Sequence, residues 1–310
     1  MRIMQRELKQ SRKYWIRAQR IIPAGSQTFS KSPSQFVQGV APIYLQNGKG
    51  SHVFDVDGNE YIDYVMALGP ITLGYSYFPV NKAITRQLEQ GITFSLMHPL
   101  EVELSELLIE LIPCAEMVRF GKNGSDATTG AIRAARAYTG REKIACCGYH
   151  GWQDWYIGTT TRDKGIPEST KKLTIPFEYN NFESLEKIFA ENKDEIAAVI
   201  MEPIVIEEPE GNFLSKVKQL THKNGAVLVF DEIVTGFRLA LGGAQEYFKV
   251  TPDLATFGKG IANGMPISAV VGKREIMKEL EEVFFSFTFG GEALSLASAL
   301  TSIKEMKGKD

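Results

Sequence analysis

Along the chain, the spacing of apolar and polar positions changes character twice. Residues 1–22 form a basic amphipathic stretch with no apolar core, which predicts a solvated helix packed on the body or on a partner subunit. A mitochondrial transit peptide would be poor in acids and rich in Ser, and Glu7 and the scarcity of Ser argue against it. Residues 21–50 are rich in Gly, Pro, Ser and Gln and read as an irregular arm rather than a packed element. In SHVFDVDGNEYIDYV, residues 51–65, two alternating segments flank Asp57-Gly58, which predicts a β-hairpin.

From about residue 80, helical periodicity alternates with short apolar runs. Residues 100–112 carry apolar groups at helical spacing, and a second helix is expected over 125–138. MVRF (117–120) and KIACC (143–147) read as strands. IAAVIM (196–201) and AVLVF (226–230) are unbroken apolar runs, as expected of central strands covered on both faces. Between them, FLSKVKQLTHKNG (213–225) is a helix with a glycine stop. The alternation predicts an α/β fold: a mostly parallel central sheet covered by helices, joined by right-handed crossovers and preceded by the arm and hairpin.

Ligands of such sheets bind beyond the carboxyl ends of the strands. The residues just after each run are therefore the candidates. They are Gly121 to Asp126, Gly148 to Trp152, Glu202-Pro203, Asp231-Glu232, and Lys259 after Leu254 to Gly258.

Composition narrows the function. The chain has 310 residues, 44% of them hydrophobic, enough for one large core. Its 35 basic and 37 acidic residues leave a net charge of -2, which gives no electrostatic reason for a nucleic-acid partner. No apolar run approaches the ~18–20 residues that span a bilayer. Three cysteines, Cys114 and the adjacent Cys146 and Cys147, form neither a disulfide framework nor a zinc pair, and reduced cytoplasmic thiols are the simplest reading.

Each candidate has a bland reading beside a chemical one. GKNGSDA (121–127) opens a helix directly after a strand, where first-turn amides, the helix dipole and the Ser125 hydroxyl suit a phosphate; it equally suits an ordinary helix cap. Asp231 ends an apolar strand and needs a cationic or strongly donating partner. A protonated pyridine nitrogen would serve, and so would Arg238 in the same loop. Lys259 lies among glycines in TFGKGIANGMP, where removal from water would lower its pKa and make it nucleophilic; most lysines are solvated surface charges. Tyr149 can stack on a flat ring or simply pack. Together an anion cradle, an aromatic plate, a carboxylate and an amine match the phosphate, ring face, ring nitrogen and aldehyde of pyridoxal 5′-phosphate.

DVDGNEYIDYV, GSDATTGAIRAARAYTGREKI, YHG, FDEIVTGFRLALGGAQEYFKVTPDLATFGK and NGMP resemble the class III aminotransferases of fold type I, and among them the glutamate-1-semialdehyde aminomutase group. The resemblance runs from PAGSQTFSK (23–31) to SFTFGGEALSLASAL (286–300). It implies a pyridoxal-phosphate enzyme, with pyridoxamine 5′-phosphate as a reaction intermediate and small amino and carbonyl compounds as substrates. It implies that Lys259 forms the Schiff base and shuttles the proton, and that Asp231 keeps the pyridine nitrogen protonated. Asn123, Gly124 and Ser125 would hold the phosphate. Tyr149 and Ile233 would cover the two ring faces, His150 would orient Asp231, and Glu202 would sit near the cofactor. Thr288 would reach the phosphate of a partner subunit, which implies a homodimer with shared sites.

The chain departs from the group's pattern at several places. Lys31 stands where the aminomutases place an arm arginine for the substrate carboxylate, and loses its bidentate fork. Glu207 replaces an asparagine, Phe287 a glycine, and Glu292-Ala293 an Asn-Pro. These changes leave two reactions open, that of the aminomutases and that of a transaminase for another aldehyde or keto compound, such as a sugar derivative. The expected organisation is an N-terminal helix, arm and hairpin over 1–66 and a cofactor-binding domain over 67–310, without the family's C-terminal small domain. That shortening leaves a second reading, a cofactor-binding protein without turnover. A Rossmann nucleotide binder is excluded, because no G-x-G-x-x-G follows the early strands.

Overall fold

The computed structural model describes residues 7–309. The start of the basic stretch therefore lies outside the described residues, but helix α1 (Lys9–Ile21) forms as expected. It docks on the body: its amides at Gln10 and Ser11 donate to the two oxygens of Asp57 at 2.6 and 2.9 Å. A helix start leaves its first amides unpaired, and here the hairpin turn supplies the cap.

The arm is irregular through short 3-10 turns to Gln35, as its composition predicts. Its last residues depart from that expectation. Leu45–Lys49 is strand β1, which pairs antiparallel with the first strand of the predicted hairpin, β2 (His52–Asp55), and β2 pairs with β3 (Glu60–Ile62). With Gly and Asn inside it, β1 has no intrinsic strand pattern, and the ladder offered by β2 decides its conformation.

The body begins with helices α2 (Phe78–Leu88) and α3 (Pro99–Leu111). Strand β4 (Met117–Gly121) leads into α4 (Gly124–Thr139), and β5 (Lys143–Cys147) into the short helices α5 (Asp154–Ile157) and α6 (Glu168–Lys171). Then follow β6 (Thr174–Pro176), α7 (Phe182–Glu191), β7 (Ile196–Met201), α8 (Phe213–Lys223), β8 (Val227–Asp231) and α9 (Ala244–Tyr247). The chain closes with β9 (Leu254–Phe257), β10 (Ser268–Gly272), α10 (Arg274–Met277) and α11 (Ala293–Lys307). Among the described residues no helix is long and apolar enough to cross a membrane.

Seven strands form one sheet in the order β4-β10-β9-β8-β7-β5-β6. Sequence patterning missed β10, which runs antiparallel to both neighbours. Only residues 258–267 separate β9 from β10, too few for the crossover helix that a parallel return needs. The other strands are parallel, as expected, and the central ones are dry on both faces. Along β7, Val199 and Met201 join a core with α3, α8 and α11, while Ala198 and Ile200 join one with α4.

Register aligns the strand ends. Cys147 lies opposite Met201, Met201 opposite Phe230, and Asp231 opposite Thr256. The residues that follow these strands therefore emerge on one edge. At the opposite edge, Asp253 binds the Lys273 ammonium at 2.7 Å, the Leu228 amide at 2.8 Å and His222 Nε2 at 2.9 Å. Burial works to raise its pKa, but Lys273, the Leu228 amide and His222 outweigh it and hold the carboxyl below the usual range. A depressed folded-state pKa gives stability that is complete above the unfolded value, about 3.9, and is lost as pH falls toward the folded value. Asp253→Asn is expected to flatten the acid limb of a denaturation-versus-pH curve; an unchanged limb would show that the carboxylate is not linked to folding.

Candidate active site

Helix α4 begins right at the end of β4. Its first amides, of Gly124 and Ser125, have no partner among the described residues, as helix geometry dictates. The cap is separate: the Asp126 carboxylate takes the amides of Asn123 at 2.7 Å and Lys122 at 3.1 Å. Space at Gly124 is tight: a Cβ there would lie 3.2 Å from both Cδ1 and Cγ2 of Ile233, which would have to give by a few tenths of an ångström. Ser125 Oγ accepts from the Trp152 amide at 3.3 Å, joining the cradle to the loop after β5.

Asp231 is 2% exposed and lies 2.8 Å from His150 Nδ1. His150 Nε2 faces the Cys147 carbonyl at 3.1 Å. A carbonyl only accepts, so this contact suits a proton on Nε2, while the carboxylate contact suits a proton on Nδ1. Asp231 also accepts from the Ile233 amide at 3.1 Å and the Thr256 hydroxyl at 3.3 Å. Arg238, the alternative partner, does not reach it: its guanidinium donates to the carbonyls of Val234 and Gly69. Three bonds leave an ionised carboxylate room for a fourth donor.

His150 is fixed by packing as well, against Trp155 (stacked) and Tyr156 (edge-on) at centroid distances of 6.2 and 5.1 Å. Its neighbour Tyr149 is 59% exposed, and its ring meets that of Tyr156 at right angles at 5.7 Å. Glu202, after β7, accepts the Tyr149 amide at 2.8 Å and so sets that loop. Burial raises the Glu202 carboxyl above its ordinary range, opposed by the Tyr149 amide.

Lys259 follows β9 and Gly258 and is half-buried. Burial pushes its ammonium below the usual lysine range, and Arg238 adds to the depression, while Asp231 and Glu202 oppose it. Among the described residues it forms no ion pair within 4.0 Å. Ile233 joins the parts: its side chain borders Gly124 of the cradle and also Gly258, where a Cβ would lie 2.9 Å from its Cδ1.

The family model for aminotransferase class-III matches residues 36–310. The chain belongs to the class-III aminotransferase family. It is 43% identical over 306 residues to the 3-aminobutyryl-CoA aminotransferase of Cloacimonas acidaminovorans, covering 96% of this chain and 73% of that one. It is 41% identical over 320 residues to a glutamate-1-semialdehyde 2,1-aminomutase of Alkaliphilus oremlandii, covering 96% and 74%. Among solved structures, the FumI protein of Sphingopyxis sp. MTA144, in its pyridoxal-phosphate internal aldimine form, superposes with a TM-score of 0.91 at 31% identity, covering 96% of this chain and 73% of that one.

Class-III aminotransferases are pyridoxal-phosphate enzymes, and the residues here fit that cofactor. Two free helix amides and a hydroxyl suit its phosphate, a buried carboxylate with an open acceptor site suits its ring nitrogen, and an unpaired amine suits its aldehyde.

Not every candidate joins this cluster. Lys31 is exposed at the end of a 3-10 turn; the arm touches the body nearby through Phe29, whose ring lies 4.2 Å below the Arg162 guanidinium. Glu207 is exposed beside Ile206, which is 93% exposed. Thr288 is exposed in the turn before α11 and bonds to none of the cradle residues. Sequence reasoning missed Thr256, the segment Met66–Gly69 and the role of Arg238. The return of residues 72–74 onto the Lys259 segment brings Met66–Gly69 to the site, where Arg238 meets it through the Gly69 carbonyl. Of the missed residues, Thr256 alone had a signal, as a lone hydroxyl in an apolar strand.

Proposed function

We propose that this chain transfers amino groups between small amino and carbonyl compounds, with Lys259 as the amine that holds pyridoxal phosphate. The observation that carries this reading is the meeting of three strand ends: Ile233 bridges the Gly124 cradle and Gly258, next to Lys259, and its amide binds Asp231. Bound cofactor supplies an aldehyde that condenses with amines and a ring that accepts the electron pair of a deprotonated carbon.

The protein's part is positioning and proton control. Gly124 and Ser125, next to Asn123, hold the phosphate. Tyr149 and Ile233 enclose the ring, and Asp231, oriented by His150, keeps a proton on the ring nitrogen. Lys259 Nζ, depressed by burial, is free to take a proton from the substrate carbon and return it elsewhere. Thr288 would act from a partner subunit, so the working unit is a homodimer. Residues 1–66 serve as an accessory segment to the cofactor-binding domain, and the three free cysteines suit the cytoplasm.

The test is borohydride reduction of the protein after treatment with pyridoxal phosphate, followed by peptide mapping. A phosphopyridoxyl adduct confined to Lys259 is expected; its absence in folded protein free of pyridoxamine phosphate would sink the reading and leave a binding protein without turnover.

The exposed placement of Lys31 favours transfer between two molecules over an amine shift within one. An exposed ammonium lacks the fork that would grip the aminomutase carboxylate. An aldehyde or keto compound, a keto-sugar included, is the acceptor class this supports. Isotopic nitrogen from a labelled donor should appear in the product; retention of the substrate's own nitrogen would restore the aminomutase reading.

Substitution in the cradle gives a second check. Gly124→Val places branched carbon against Ile233 and across the phosphate amides. Cofactor affinity is expected to fall by about 10-fold or more, the equivalent of ~1–3 kcal/mol of overpacking. Fluorescence titration with pyridoxal phosphate would measure it, and an unchanged affinity would remove the phosphate from this helix start.

A further inference from the structure

The segment before α2 carries a backbone feature that no turn signal announces. Met66, Ala67, Leu68 and Gly69 have φ of 50, 54, 72 and 102° in succession. Three of these have side chains, and crowding of Cβ against the carbonyl disfavours that region for each. Left-handed residues normally occur singly, so a run of four persists only where its surroundings over-determine it.

The surroundings do so from both ends. Asp63 accepts the amides of Val65 at 2.9 Å, Met66 at 3.2 Å and Ala67 at 3.3 Å, and is itself held by the Tyr75 hydroxyl at 2.6 Å. At the far end Arg238 donates to the Gly69 carbonyl, while its Nε binds the Val234 carbonyl at 2.9 Å. Beyond the turn, Thr72 donates to the Gly260 carbonyl at 3.2 Å, and Asn263 pairs with the Leu73 amide at 2.9 Å and the Gly74 carbonyl at 3.0 Å. The turn is thereby seated on the segment that follows Lys259. A Cβ on Gly69 would lie 3.2 Å from Arg238 Nη2 and 3.5 Å from Lys259 Cδ. The guanidinium and the lysine stem thus border the same point. Among the described residues Arg238 forms no ion pair with a carboxylate, so its charge is not cancelled locally.

We propose that this left-handed turn and Arg238 together are a positioning device for Lys259: the turn keeps water from the lysine stem, and the guanidinium, which no carboxylate cancels, disfavours the charged form of the amine. The inference rests on Lys259 being the reactive amine. The charged groups that act on Lys259 are Arg238 from the loop after β8, Asp231 at the end of β8 and Glu202 after β7. The two carboxylates favour the ammonium. Burial and Arg238 oppose them, and the ammonium lies below its ordinary range on balance. Arg238 is a positioning residue here, acting on chemistry through Lys259.

The test is competitive acetylation of the full chain, free of cofactor, across a range of pH, with the labelling of each lysine read by peptide mass mapping. Arg238→Gln is expected to raise the labelling midpoint of Lys259 by about 1 unit, the size of one nearby like charge. Arg238→Lys, which keeps the charge, is expected to hold the wild-type midpoint. Asp63→Ala releases the turn while leaving Arg238 in place, and admits water to the stem. It too is expected to raise the midpoint, although losing a carboxylate would by charge alone lower it. The Asp63 variant carries the test should Arg238→Gln fail to fold. A folded Arg238→Gln or Asp63→Ala protein whose Lys259 midpoint is unmoved would overturn the proposal and reduce the contact to a structural tie. A wild-type midpoint equal to that of surface lysines would overturn it as well. Failure of the cofactor reading is separate, since it shows as no phosphopyridoxyl adduct on Lys259 in the same preparation.

Discussion

Lys259→Ala is expected to lower the rate of amino transfer by at least about 10²–10⁴-fold, the contribution of a positioned proton-transfer group, with the loss of covalent attachment added to it. In the proposed reaction the amine would have two tasks, holding the cofactor and moving the proton, and among the described residues the lysine of the cradle loop is not free to take over: Lys122 is tied to Glu292 at 2.9 Å and Ser295 at 3.2 Å. Because alanine removes a half-buried stem without leaving a buried charge, folding should survive. Rapid mixing with an amino donor, followed through the cofactor's visible absorbance, would measure the defect. Exogenous methylamine should restore part of the proton transfer. A variant that still turns over at the wild-type rate would remove Lys259 from the chemistry and return it to the ordinary solvated lysines.

Asp231→Ala is expected to have the largest combined effect on stability and activity. The His150–Asp231 pair is almost wholly buried, with side chains 0% and 3% exposed. Removing one partner leaves His150 Nδ1 without its hydrogen-bond partner, and breaking a buried pair costs about 3–5 kcal/mol. The Thr256 hydroxyl and Ile233 amide lose their acceptor too. Thermal unfolding would register the first effect as a fall in Tm. Single-turnover kinetics would register the second, because no group remains to keep the ring nitrogen protonated. Asp231→Asn separates the two: it keeps the shape and most of the hydrogen bonds, so it should recover much of the stability and little of the activity. Equal recovery of both would show that Asp231 serves packing alone.

The contrast between Asp231 and Arg238 shows where the sequence stops. Arg238 lies in the loop that follows Asp231, and charge alone allowed them to pair; they do not. The partner of Asp231 is His150, 81 residues earlier in the chain, brought to it by the register of β5, β7 and β8. Likewise β1 and β10 carry no pattern strong enough to announce them. Each becomes a strand because a neighbour offers it a ladder.

What the sequence determined by itself was local. Unbroken apolar runs made β7 and β8 central strands, helical spacing made α3 and α4 helices, and Asp57-Gly58 made the hairpin. Chain order then placed Ser125, Tyr149, Glu202, Asp231 and Lys259 just past or at strand ends, because polar residues that close an apolar run can only emerge at the sheet's edge. Tertiary structure decided which of these face one another, which groups His150 bridges, and how Met66–Gly69 is bent over Lys259 by Asp63 and Arg238. Those features depend on contacts between residues far apart in the chain, and such contacts exist only once the sheet has set its register.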